Sequence, residues 1–404
     1  MANPSVSNQY NASHDPIYLD NLATTPVDPR VLETVLPYLK NHFGNPSSST
    51  HGFGWKAADA VEEAREQTAE LIGARAREIV FTSGATEANN LAVKGVALAA
   101  TKEQGTQIIM CATEHPSVLD CKAFLQKQGF EIVVLPVDRY GVLDPDELRE
   151  KISDHTLLIS VMAANNELGT VHRLKEIGEV ASENGVLWHC DAAQAAGKIP
   201  LDVDSLGIDL LSLSAHKLYA PKGQGALYVR SNRRPRLRIS PQLEGGGQER
   251  GLRSGTTNVA GAAGLGKACE VARMEMAVEA ERVGSLCAGL KRRFQAIETA
   301  SFNGHPTLRL PGCLSVTIKN LDSGALMMAL RDKVAISAGS ACKSGFGAAS
   351  HVLEAIGLDA TSVAGTLRFG LGRFTKEKDV EIAWKHLSNA LSCHTGPITN
   401  KIEN

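Results

Sequence analysis

No stretch of this chain approaches the roughly 20 consecutive apolar residues that a helix needs to cross a bilayer, which argues against an integral membrane protein. Met1 to Asp15 is polar and rich in Asn and Ser, without the apolar core of a secretory signal, so it reads as a disordered lead-in. Charge of neither sign dominates. The 42 Lys and Arg face 44 Asp and Glu, and a net charge of -2 creates no field for nucleic acid or for an anionic membrane. The eight cysteines include no CxxC and no paired spacing, which excludes a disulfide scaffold, suggests no metal site and fits reduced thiols in a cytosol. Internal repeats and low-complexity tracts are absent as well.

What is present is globular. A hydrophobic content of 43% and a charged content of 21% are ordinary for a soluble protein. At 404 residues the chain exceeds one ordinary core and suggests two domains. Asp28 and Pro29 look like the cap and first residue of a helix through Leu39, and a second helix is expected over Gly54 to Gly73. Apolar strands then alternate with amphipathic helices. Strands are expected near 78–82, 107–111, 131–135, 157–162, 186–190, 209–213 and 225–229. Helices are expected from about Thr86, from Pro116, near 145–151 and over 174–184. Such alternation argues for an α/β fold with a mainly parallel sheet covered by helices on both faces. A long helical stretch, about 259–299, leads into a second unit with strands near 313–318, 334–336 and 366–370 and a last helix from about Lys376.

Ligand sites in parallel sheets lie beyond the carboxyl ends of the strands. Ser83, His115, Asn166, Asp191 and Lys217 all fall there. Lys217 stands in Ser214-Ala215-His216-Lys217, before the Gly-rich turn Ala220 to Gly225. Asp191 ends the run Val186 to Cys190, with Gln194 close behind. An amine at one strand end and a carboxylate at another are what pyridoxal phosphate chemistry requires. The amine forms a Schiff base, and the carboxylate keeps the pyridine nitrogen protonated so that the ring accepts electrons. A lone lysine in that position would be simply solvated; its company gives it meaning.

Thr82 to Glu87 joins a strand to a helix, where free N–H groups and the helix dipole favour an anion such as a phosphate, with the Thr86 hydroxyl as an added donor. Ser214 and His216 flank Lys217 and could reach the same phosphate. His115, in Glu114-His115-Pro116, could stack on a cofactor ring and relay protons. His189, inside a strand, reads as core. Cys342 lies in the small-residue string Ser337 to Gly345, with Lys343 beside it to favour the thiolate, so it is expected to be accessible and reactive. The other cysteines fall in strand or helix patterns, as small apolar side chains. Arg368, flanked by Leu367 and Phe369, is either a carboxylate clamp or a surface salt bridge. Gly261-Ala262-Ala263-Gly264-Leu265-Gly266-Lys267 copies the spacing of a P-loop but is followed by Ala268 and preceded by no strand, so it reads as small residues on a packed helix. Arg253-Ser254-Gly255-Thr256, after the triple glycine Gly245 to Gly247, reads as an anion-binding turn.

These residues carry a family likeness. The chain resembles the pyridoxal-phosphate-dependent cysteine desulfurases of aminotransferase class V, from about Ile17 to the final helix. The likeness rests on Tyr18-Leu19-Asp20 with Ala23 to Pro26, Phe43 to Ser48, Thr82 to Glu87, Asn165-Asn166-Glu167, Ser214 to Lys217, Gly245 to Thr256 and Gly339-Ser340-Ala341-Cys342. It implies fold type I: a large cofactor-binding domain over 27–262, a smaller α+β domain from 17–26 and 263–404, and a lead-in over 1–16. It implies that Lys217 carries pyridoxal phosphate, Asp191 pairs with the pyridine nitrogen, Gln194 bonds the ring oxygen and His115 stacks on the ring. Ala85, Thr86, Ser214 and His216 would hold the phosphate, joined by Thr256 from the other subunit of a homodimer. Asn166 and Arg368 would hold the substrate carboxylate, and Cys342 would take the sulfur. The cysteine string resembles the group with the long loop, which supplies sulfur to acceptor proteins for iron–sulfur clusters or thiolated nucleic acid. Two departures stand out: Ala163-Ala164 where relatives often carry a histidine, and Ala215 where glycine is common.

The function so implied is that of a cytoplasmic cysteine desulfurase, converting L-cysteine to L-alanine and a persulfide on Cys342. Selenocysteine lyase or another class V activity is the enzymatic alternative. A plain aminotransferase has no use for a nucleophilic thiol, and a scaffold without turnover would be expected to have lost Lys217 or Cys342.

Overall fold

The computed structural model describes residues 15–233, 236–338 and 349–395. Strand β1 (Ile17–Tyr18) opens it. The strands of the larger sheet follow: β2 (Ile79–Thr82), β3 (Gln107–Cys111), β4 (Glu131–Leu135), β5 (Thr156–Ser160), β6 (Leu187–Asp191), β7 (Leu210–Ser214) and β8 (Gly225–Val229). Their spatial order is β2-β8-β7-β6-β5-β3-β4. Every pairing is parallel except the two that β8 makes, with β2 and with β7. The mainly parallel sheet expected from the alternation of elements is what forms.

Helices cover both faces, and this explains why β2, β3, β5 and β7 are buried along their whole length. Alternate side chains enter opposite layers. Ile79, Phe81, Ile109 and Cys111 join the core under helices 52–71 and 174–183, while Val80, Ile108 and Met110 join the layer under helix 85–99. The β2 edge is sealed by side chains. Glu249 accepts the Phe81 N–H at 2.9 Å, and Arg65 and Arg250 donate to the Ile79 carbonyl at 2.7 and 2.6 Å. The helix expected from Pro116 is split into Pro116–Leu119 and Cys121–Lys127, with Asp120 between them.

The second unit holds β9 (Ala300–Asn303), β10 (Cys313–Ile318), β11 (Val334–Ala335), β12 (Ser337–Ala338) and β13 (Thr366–Gly370). An antiparallel sheet runs β12-β13-β10-β9, and β11 pairs in parallel with β1. Phe294, Phe369 and Trp384 stack at its centre, with ring centroids 5.3 and 5.1 Å from Phe294. The expected boundary at residue 263 falls inside the helix Val259–Gln295. Its first part, through Ala272, is buried in the larger core, and Val283 to Phe294 are buried in the smaller one. One helix therefore spans both units. Among the described residues no helix is long and apolar enough to cross a membrane.

The P-loop-like glycines lie on this helix and serve packing. A Cβ on Gly264 would sit 2.8 Å from Val35 Cγ2, and one on Gly266 would sit 2.6 Å from the Cα of Ala64. The Ala64 clash involves backbone and cannot be relieved by a rotamer. We expect Gly266→Ala to lower stability by about 1–3 kcal/mol, outweighing the roughly 1 kcal/mol that alanine contributes to a helix. A urea midpoint equal to or above that of the unsubstituted chain would contradict this.

Candidate active site

A cavity of about 590 Å³ opens at the carboxyl ends of the parallel strands. β6 ends in Asp191, β7 ends in Ser214, and Lys217 closes the single helical turn that follows. β8 returns beside β7 with Gly225 opposite Ser214. A Cβ on Gly225 would meet Gly84 Cα at 2.6 Å, so glycine there lets β8 approach the start of helix 85–99. That approach brings the helix N-terminus to Ser214 and Lys217.

One end of the cavity suits an anion. Ala85, Thr86, Ser214 and His216 line it beside the first turn of helix 85–99, whose N–H groups lack intrahelical acceptors. Lys222 lines it too. His216 Nδ1 lies 3.1 Å from Thr24 Oγ1. Burial pushes its pKa down to about 4, helped by the charges of Lys217, Lys222 and Lys198. A region this positive calls for negative charge. The nearby carboxylate, Glu87, does not supply it, because it is held by the Ser83 N–H at 2.8 Å and by Arg253 at 2.8 Å. Arg253, in the turn Arg253 to Thr256, thus has a carboxylate partner in its own chain.

The opposite end is acidic and tightly held. Asp191 is buried. It accepts from Asn89 Nδ2 at 2.7 Å and from the Ala193 N–H at 2.9 Å. His115 caps the short helix 116–119, and its Nδ1 accepts the Ser117 N–H at 3.1 Å. Burial chiefly lowers its pKa, against the raising influence of Asp191. The ring is thus neutral, with its proton on Nε2. His189 is core as expected, bonded to Ser160 and Ser212 at 2.9 and 3.0 Å.

Lys217 Nζ donates to the Leu22 carbonyl and, at 2.6 Å, to that of Ala23. Gln194 donates to the same Leu22 carbonyl at 2.9 Å and accepts from Lys198 at 3.2 Å. The second unit contributes Arg368 from β13. Its side chain is only 5% exposed and pairs with Asp20 at 3.0 Å, which removes the surface reading. It also donates to Ser337 Oγ at 2.9 Å and to the Asn166 carbonyl at 3.2 Å.

The cavity thus unites Ala85, Thr86, His115, Asn166, Asp191, Gln194, Ser214, His216, Lys217 and Arg368. Thr256 is exposed and does not line it. Cys342 lies outside the described residues. The other cysteines whose side chains are described are all buried. Sequence reasoning missed Asn89, Ser117 and the pairing of Asp20 with Arg368. Asn89 did leave a trace: an amide among Ala88, Leu91 and Ala92 on an apolar helix face is a polar group that needs a buried partner.

Fold and site define a class V aminotransferase: the model of that family, "Aminotransferase class-V", matches residues 17–382, and the chain belongs to it. Its named relatives are cysteine desulfurases. It is 52% identical over 367 residues to "Cysteine desulfurase IscS" of Anaeromyxobacter sp. (strain Fw109-5), covering 91% of this chain and 90% of that one. It is 48% identical to "Cysteine desulfurase" of Homo sapiens, over 91% of this chain and 79% of that one. Among solved structures, a "NifS-like protein" superposes with a TM-score of 0.87 at 36% identity, covering 94% of this chain and 100% of that one.

Proposed function

We propose that this chain is a cysteine desulfurase that uses pyridoxal phosphate to convert L-cysteine to L-alanine, leaving the sulfur as a persulfide on Cys342. The observation that carries this is the convergence of an amine (Lys217), a carboxylate (Asp191) and a guanidinium (Arg368) on one cavity, in a chain half identical to named cysteine desulfurases.

The residues suit the cofactor. The basic end, with the helix N-terminus, His216 and Lys222, matches a phosphate. Asp191, kept as an acceptor by two N–H donors, matches a pyridinium nitrogen. Lys217 would supply the amine for the aldehyde carbon, and Gln194 an amide for the ring oxygen. When bound, the cofactor supplies an electron sink for charge developing at the substrate Cα.

The chain's own groups do the rest. Arg368 and Asn166 bind the substrate carboxylate, so the Arg368–Asp20 pair must admit a second anion. Lys217 Nζ takes the Cα proton. His115, neutral and carrying its proton on Nε2, donates a hydrogen bond into the cavity. The Cys342 thiolate attacks the substrate sulfur, so an S–S bond forms as the C–S bond breaks. The carbon skeleton keeps the bonding electrons and takes up protons to become alanine. Cysteine and one thiol yield alanine and one persulfide, with no external oxidant.

The test is to give the cofactor-loaded enzyme L-cysteine without added thiol. Alanine and Cys342 persulfide should appear one to one. Pyruvate and ammonia in place of alanine would refute the assignment. Arg368→Ala should raise KM for cysteine about 10–100-fold, the loss expected for a charge-assisted hydrogen bond, with a smaller effect on kcat. An unchanged KM would assign the carboxylate to another group.

A homodimer in which Thr256 of each subunit completes the phosphate site of its partner fits the exposure of that residue. The persulfide would pass to an acceptor protein of iron–sulfur cluster assembly or nucleic-acid thiolation.

A further inference from the structure

Glu114 precedes His115 and is wholly buried. Its Oε1 accepts the Met162 N–H at 2.5 Å, and its Oε2 has no hydrogen-bond partner. Asn89 is also wholly buried. Its Nδ2 donates to Asp191 Oδ2 at 2.7 Å and to Ser117 Oγ at 2.8 Å, while its Oδ1 has no partner. The amide orientation is dictated by chemistry: a carboxylate only accepts, so the nitrogen must face Asp191. The Ser117 hydroxyl in turn lies 2.9 Å from His115 Nδ1. Asn89 therefore links the two side chains, carboxylate and imidazole, that face the ring end of the cavity.

We propose that Glu114 is a positioning residue of this site: as an uncharged carboxylic acid it donates its proton toward Asn89 Oδ1, directly or through one water, and so fixes Asn89, Asp191 and His115 together. The inference rests on the cofactor reading given above. Glu114 Oε2 and Asn89 Oδ1 are both buried and both lack a partner, and two acceptors cannot satisfy each other. A proton on Glu114 makes one of them a donor and answers both. The groups that face Glu114 agree. Its carboxyl is pushed well above the usual carboxylate range by burial, and next by the charge of Asp191. Cys111 and Cys190 feel its charge, and burial raises both thiols, so they stay neutral. His351 contacts the Glu114 backbone carbonyl, at 3.0 Å, not the carboxyl. Of two nearby carboxyl groups only one ionises readily. An acid form of Glu114 leaves the charge on Asp191, where a pyridinium needs it.

The experiment pairs Glu114→Gln with Glu114→Leu. Gln keeps a donor at the outer position and should retain kcat within about threefold and the visible spectrum of the bound cofactor. Leu leaves Asn89 Oδ1 unanswered. It should lower kcat about tenfold or more at unchanged KM and shift the pH midpoint of the cofactor's absorption. Infrared difference spectra of wild type against Glu114→Gln at neutral pH should show a protonated-carboxyl C=O band that is lost in the variant. A carboxylate band in its place, or a Gln variant as impaired as Leu, would overturn the proposal. The infrared comparison and the Gln kinetics decide even if the Leu variant does not fold. A wild type that shows the band but binds no pyridoxal phosphate would instead refute the cofactor reading.

Discussion

Lys217→Ala should lose alanine formation by at least about four orders of magnitude, because in the proposed mechanism one substitution removes both the amine that would hold the cofactor and the base for the Cα proton. Of the neighbouring amines, Lys222 lines the basic end of the cavity, the end suited to the phosphate. Lys198 bonds Gln194 at 3.2 Å and, although burial lowers its pKa to about 8, it does not line the cavity. Borohydride reduction followed by peptide mass spectrometry should place the cofactor on Lys217 in the wild type and nowhere in the variant. A trapped adduct on Lys198 or Lys222, with turnover preserved, would reject the assignment.

Cys342→Ser stops persulfide formation but still binds cysteine, so the cofactor spectrum should shift on mixing. In the proposed reaction Lys217 and Arg368 handle the amino acid, and only a thiolate can take the sulfur. The other thiols whose side chains are described are poor substitutes. Burial pushes Cys111, Cys269 and Cys287 up to about 12 and holds Cys190 well above its usual value. At pH 8 a thiol titrating near 12 is ionised in about one molecule in ten thousand. Labelled sulfur from briefly treated enzyme should therefore appear first on Cys342. Finding it first on Cys111, Cys121, Cys190, Cys269, Cys287, Cys313 or Cys393, or normal desulfuration by the Ser variant without added thiol, would overturn the role of the 339–345 segment.

Much of this was legible in the chain because it is local. Strand-then-helix alternation follows from side-chain periodicity, which each element carries by itself. Asp191 and Lys217 declare themselves because each ends an apolar run, and a charged group at the mouth of a parallel sheet has few purposes. The P-loop spacing at Gly261 to Lys267 fails on equally local grounds, and Gly264 and Gly266 pack against Val35 and Ala64.

Other features depend on partners far along the chain. Asn89 meets Asp191 across 102 positions, and Arg368 meets Asp20 across 348. Whether an arginine on a strand is a clamp or a surface charge turns on that second residue, and no window of sequence contains both. The helix Val259–Gln295 looks uniform in sequence, yet its two halves belong to different cores, because only packing decides which apolar face finds which partner. By itself, then, the sequence determined the fold class and which residue types stand at the strand ends, since these follow from residue type and local period. The tertiary structure alone decided burial, and with it protonation. Glu114 is an ordinary carboxylate in the chain, and it becomes an acid only where water is excluded and Asp191 already holds the negative charge.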